Sequence, residues 1–168
     1  YIDLEKEFKD DLMVWNAVID STNLSIRFQE PSTLFAYGKA ELQDKFKAIL
    51  NDFFPRYLNL ISSKQYKDNI EEIRIEGHTD SNGPYEFNMK LSQDRTRSVL
   101  SYCLLMVHPE KKEWTKSRIT ANGLSSSHLI FNADGTENQR LSRRVEFRIR
   151  TNAEKQLEKI AENRFRKQ

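Results

Sequence analysis

Between residues 71 and 123 a short alternating run, a long helical run and a second short run follow one another. "EEIRIEG" (71–77) places Ile73 and Ile75 on one side of an extended chain, and "SRITANG" (117–123) is a second short strand. "YEFNMKLSQDRTRSVLSYCLLMV" (85–107) between them has helical periodicity and stops before Pro109. A strand–helix–strand unit restricts the fold more than any other feature here. Strands joined through a helix favour a parallel pair, and the crossover must be right-handed for the helix to pack back on the sheet.

The remaining segments extend this unit. Leu4, Phe8, Leu12, Trp15 and Ile19 recur at helical spacing, which predicts an amphipathic helix ending near Ser21–Asn23. "LSIRFQEP" alternates, with Leu24, Ile26 and Phe28 on one face, and Pro31 stops it. "KAELQDKFKAILNDFFPRYLNLI" is helical along Leu42, Phe46, Ile49, Leu50 and Phe53, with a kink or break expected at Pro55. "SRRVEFRIR" turns Val145, Phe147 and Ile149 inward and reads as a last strand with a solvated opposite face. The tail "AEKQLEKIAENRFRKQ" carries a thin stripe of Leu157, Ile160, Ala161 and Phe165. The expected fold is α/β (α+β), a two-layer sandwich. A small mixed four-stranded sheet has helices on one face, in βαβαββ order, with N- and C-terminal helices added. Residues 1–22 would be a linker or dimerisation helix, 23–152 the main domain and 153–168 a terminal helix.

Composition excludes several classes. The net charge of +2, from 27 Lys and Arg against 25 Asp and Glu, is too small an excess to argue for a nucleic-acid binder. A single cysteine, Cys103, allows no internal disulfide framework. No apolar run reaches membrane-spanning length, "CLLMV" being the strongest. The chain begins on Tyr1 rather than a methionine and carries no signal peptide, so it is expected to be the excised soluble portion of something longer.

The chemistry concentrates in "IEGHTDSNGPYEFNMKLSQDRTRSV" (75–99). The second long helix should face the core through Leu91, Val99, Tyr102, Cys103 and Met106. Arg95 lies four residues from both Leu91 and Val99, and Asn88 three before Leu91, so both share that apolar face. An Arg there needs an anion, because an unpaired buried charge is costly. Asp80, just after the strand ending at Gly77, is the nearest candidate. From spacing alone the pair reads equally as a structural clip between loop and helix or as part of a site. Other chemistry is weaker. His78 and Asp80 lack a third metal ligand, and Asp94 points about 100° from Arg95 and away from Asp80. Cys103 lies mid-helix on the apolar stripe. "NADGTEN" (132–138) lacks the closing bidentate Glu of a calcium loop and reads as a turn. No cofactor or metal is expected.

"GHTDSNG", "NMKLSQDR" and "SRRVEF", with "TLFAYGKAEL" before them, resemble the OmpA-like, or OmpA/MotB-type, peptidoglycan-binding domain over roughly residues 24 to 151. That resemblance implies that Asp80 and Arg95 hold the diaminopimelate of a stem peptide, whose free end bears an ammonium and a carboxylate. It also implies that Thr79, Asn88 and Leu91 line the pocket and that Arg143 contacts the peptide. Ser142 stands where the family usually has Asn, Phe87 neighbours Asn88, and the 51–69 and 107–117 segments exceed a minimal domain.

The implied function is non-catalytic anchoring to the cell wall, by binding uncrosslinked stem peptides in the periplasm. A hydrolase of the same polymer is the alternative class, and a porin or lipoprotein tail the alternative parent. The upstream helix favours a MotB-like, ion-driven stator subunit of the inner membrane, flagellar or of the Zorya-type antiphage systems. Its partners would be peptidoglycan, a membrane-embedded subunit and, through the Leu4–Ile19 stripe, a second copy of itself.

Overall fold

The computed structural model describes residues 1–29 and 31–166. In chain order the elements are α1 (Ile2–Phe8), α2 (Leu12–Trp15), β1 (Ala17–Asp20), β2 (Ser25–Phe28), α3 (Pro31–Leu34), α4 (Asp44–Ile61) and β3 (Ile70–His78). There follow α5 (Tyr85–Leu105), α6 (Pro109–Lys116), β4 (Ile119–Gly123), α7 (Gln139–Ser142), β5 (Arg144–Thr151) and α8 (Ala153–Phe165). The sheet order is β1-β2-β5-β3-β4. Only β3 and β4, the pair linked through α5, run parallel. The strand–helix–strand unit therefore folds as its sequence requires, and β5 inserts antiparallel between β2 and β3.

Alternation divides the sheet into two faces. Ile26, Phe28, Ile73, Ile75, Val145, Phe147 and Ile149 join the core with residues of α4 and α5. Phe53 of α4 is its hub, with ring centroids 4.9–5.2 Å from those of Tyr57, Phe28, Phe147 and Phe8.

The N-terminal segment departs from the expected single helix, and the sheet has five strands rather than four. Asn16 adopts a left-handed conformation (φ 50°) that ends α2, and Ala17–Asp20 then pairs antiparallel with β2. Val18 and Ile19 are β-branched, and a hairpin gives their backbone groups partners that a frayed helix end would not. Leu4, Phe8 and Trp15 are buried in the chain's own core, which removes the stripe on which the dimer expectation rested. The expected break at Pro55 does not occur: α4 runs on to Ile61, with Phe53, Phe54, Tyr57 and Leu58 buried around the proline. Packing of these four large side chains outweighs one missing backbone hydrogen bond. The terminal stripe is present on α8, with Leu157, Ile160 and Phe165 exposed.

The buried face of α5 is not the apolar stripe expected. It runs through Asn88, Ser92, Thr96, Val99 and Cys103, and Arg95 and Leu91 lie beside it, half-buried. The reason is a pair of glycines opposite one another in the β3–β4 register, Gly77 and Gly123. A Cβ on Gly123 would lie 2.4 Å from the Gln93 backbone nitrogen, and one on Gly77 2.9 Å from the Ser92 carbonyl oxygen. The helix thus rests directly on the strand backbones, where only small side chains fit beneath it.

The opposite sheet face is less solvated than expected. Arg144, Glu146 and Glu76 are buried, and Glu76 stands directly across from Glu146. Like charges so placed repel, and guanidinium groups offset this. Arg27 and Arg144 reach Glu146 at 2.7 and 2.8 Å, and Arg74 reaches Glu76 at 3.0 Å.

Candidate functional site

The β3–α5 connection forms one wall of a cleft, and its shape is set by its own hydrogen bonds. The Thr79 amide donates to the Ser125 carbonyl (2.9 Å), closing the strand end. Asp80 Oδ1 accepts the Asn82 amide (2.9 Å), a side-chain-closed turn, and Asn88 Nδ2 donates to the Asn82 carbonyl (2.8 Å). Glu137 holds the loop from outside, accepting from the Ser81 amide at 2.9 Å and from its hydroxyl.

Asp80 does not pair with Arg95. Its Oδ2 accepts from Arg143 Nη1 at 2.7 Å, and Asp80 is 7% exposed. Arg143 follows α7 directly and is carried over the loop by the start of β5. Arg95 instead donates through Nε to the Lys39 carbonyl (2.8 Å) and more weakly through Nη2 to Ala36 (3.5 Å), and its guanidinium lies 4.8 Å from the Phe35 ring centre. Among the described residues no carboxylate lies within 4 Å of it. Burial pushes its pKa down from the ordinary arginine value. Sequence spacing could not foresee this, because the partners of Arg95 and Asp80 come from distant segments, residues 36–39 and Arg143.

All the residues expected at the site, Thr79, Asp80, Asn88, Leu91, Arg95 and Arg143, line one cleft of about 860 Å³. The structure adds Phe35, Tyr37, Phe87 and Arg140. Arg140 was legible in retrospect, since it lies one helical turn before Arg143 in "QRLSRR". Phe35 and Tyr37 lie within "TLFAYGKAEL", a segment that carries the resemblance but gives neither residue a place in the cleft; what brings them here is the packing of the 35–42 loop against α5.

The weaker candidates separate from the cleft. Asp94 pairs with Lys90 (2.6 Å) on the exposed side of α5, and burial pushes the Cys103 thiol well above its ordinary pKa. Asp134 accepts from the Thr136 amide at 3.0 Å, closing the turn read from "NADGTEN". His78 points to the opposite sheet face, where the ligand atoms of Glu76, His78 and Glu146 lie within 4.8 Å of one another. The arginines already on both carboxylates make this a set fitted to guanidinium rather than to a metal ion.

That buried set gives a pH dependence. Burial taken alone would raise the Glu76 carboxyl, but hydrogen bonds from His78 and Arg74 outweigh it and hold the pKa at about 2. Burial lowers that of His78, against the pull of Glu76. As pH falls through 6.5 the unfolded chain protonates its histidine before the folded one does, and stability declines. Below the ordinary carboxyl value Glu76 adds a second loss of about 3 kcal/mol as pH approaches 2. Thermal melts from pH 8 to 3 should trace this limb, and Glu76→Gln should flatten its lower part. An unchanged acid slope in that variant would show that Glu76 is not its source.

A two-layer α/β sandwich with a charged cleft between the β3–α5 loop and the start of β5 defines the class. The model of the OmpA family matches residues 34–144, and the chain belongs to that family. Among individual proteins it is similar to the Zorya protein ZorB of Escherichia coli, 44% identical over 169 residues, covering 95% of this chain and 71% of that protein. It also matches the crystal structure of a putative MotB-like protein from Desulfovibrio vulgaris (26% identity, TM-score 0.63, 89% of this chain and 87% of that one). The cell wall anchor of the T6SS from Pseudomonas aeruginosa shares the fold, at 20% identity and TM-score 0.60 over 88% of this chain and 96% of that one.

Proposed function

We propose that the cleft binds the diaminopimelate-bearing stem peptide of peptidoglycan without catalysis, and so fixes a ZorB-like, stator-type membrane protein of an antiphage system to the cell wall. The domain then works in the periplasm, attached to the inner membrane beside a membrane-embedded partner. The observation that carries this reading is Arg95, a half-buried guanidinium with carbonyl partners and no carboxylate among the described residues. Its remaining N–H groups suit a ligand carboxylate, which would offset the cost of holding that charge away from water. Asp80, with one oxygen on Arg143 and one on the Asn82 amide, retains lone pairs for the ligand ammonium. Thr79, Asn88 and Leu91 shape the wall between the two.

The test is calorimetry with a stem tripeptide ending in diaminopimelate against the same peptide ending in lysine, which lacks the second carboxylate. The diaminopimelate form should bind at least tenfold more tightly. Equal affinity would sink the reading, and release of soluble fragments from purified cell wall would move the protein to the hydrolase class.

A further inference from the structure

Two aromatic side chains stand at the cleft that the stem-peptide reading does not use. Tyr37, in the connection between α3 and α4, is fully exposed, and Phe87, in the first turn of α5, is 60% exposed. Both line the cavity that holds Asp80 and Arg95. Its volume of about 860 Å³ is near the upper end for pockets that enclose a whole drug-sized ligand, roughly 300–1,000 Å³. The terminus of one amino-acid side chain fills only a fraction of it. Charge in the lining is confined to Asp80, Arg95, Arg140 and Arg143, while Tyr37 and Phe87 bring exposed aromatic rings to it from two separate segments. A ligand matching both parts has a charged end and a flat, C–H-rich face.

A pyranose ring has such a face. Its axial C–H bonds carry partial positive charge, which the negative face of an aromatic ring attracts, while its hydroxyls stay in water at the edge. The backbone that carries Tyr37 is also held: the carbonyls of Ala36 and Lys39, flanking it, are the acceptors of Arg95. Ordering this loop beforehand lowers the entropy lost on binding. Building on the stem-peptide reading, we propose that Tyr37 and Phe87 form a sugar-binding subsite for the amino-sugar ring that carries the stem peptide. The cleft would then read peptide and glycan together.

The experiment measures two ligands by calorimetry: the free stem tripeptide, and the same tripeptide on its N-acetylglucosamine–N-acetylmuramic acid disaccharide. The disaccharide should improve affinity for the unaltered protein roughly tenfold. In the Tyr37→Ala/Phe87→Ala double variant the ratio between the two ligands should fall to about one, and Tyr37→Trp should keep most of it. Equal binding of both ligands by the unaltered protein, or a ratio preserved in the double variant, would overturn the subsite while leaving peptide recognition standing. Failure of the free tripeptide to bind at all would bring down the stem-peptide reading and this inference with it.

Discussion

Arg95→Ala is expected to reduce affinity for a diaminopimelate stem peptide by roughly 30-fold to several thousandfold. Truncating one partner of a desolvated charge pair costs about 2–5 kcal/mol, and each 1.4 kcal/mol is about tenfold. The arginine also ties the Lys39 and Ala36 carbonyls and stacks on Phe35, so a small loss of stability should accompany the loss of binding. Arg95→Lys should rescue poorly. An ammonium cannot hold the loop carbonyl and grip a carboxylate edge-on at once, as the planar guanidinium can. Amidating the diaminopimelate carboxylate separates recognition from support. If Arg95 reads that group, amidation weakens binding to the unaltered protein but costs the alanine variant nothing further. An equal penalty in both would mean that Arg95 only braces the wall of the cleft.

Phe53→Ala should have the largest effect on stability. The side chain is fully buried and packs against Phe8, Trp15, Phe28, Tyr57 and Phe147, joining the N-terminal segment, α4 and the sheet. Removing a core phenylalanine costs about 3–5 kcal/mol, from lost burial and from the cavity left behind. For a domain of this size that lowers the melting temperature by roughly 10–15 °C. Circular dichroism melts would check it. A fall of only a degree or two would mean that neighbouring rings close the gap and that Phe53 is not the hub. Arg95→Ala should show the opposite pattern, with binding lost and melting little changed, so the two variants together separate site from scaffold.

The sequence alone determined the crossover unit and the core-facing sides of β3 and β5. Ile73 and Ile75, or Val145, Phe147 and Ile149, alternate with polar residues at the two-residue period of an extended chain with one apolar face. It also identified the family through "GHTDSNG" and "NMKLSQDR", and with it Thr79, Asp80, Asn88, Leu91, Arg95 and Arg143 of the cleft. The tertiary structure decided the rest. That Ala17–Asp20 leaves helical structure for a fifth strand depends on β2 being there to pair with it, and local periodicity carries no term for a partner. That α4 runs through Pro55 depends on four large side chains finding a core. The partners of the site charges are decided in the same way. Asp80 lies 15 positions from Arg95 and 63 from Arg143, yet it pairs with the latter. β5 inserts beside β3 and brings Arg143 over the loop, while the 36–39 carbonyls occupy Arg95. Charge and spacing specify which groups need a partner; only the packed chain specifies which one each obtains, because proximity between distant segments is a property of the whole fold.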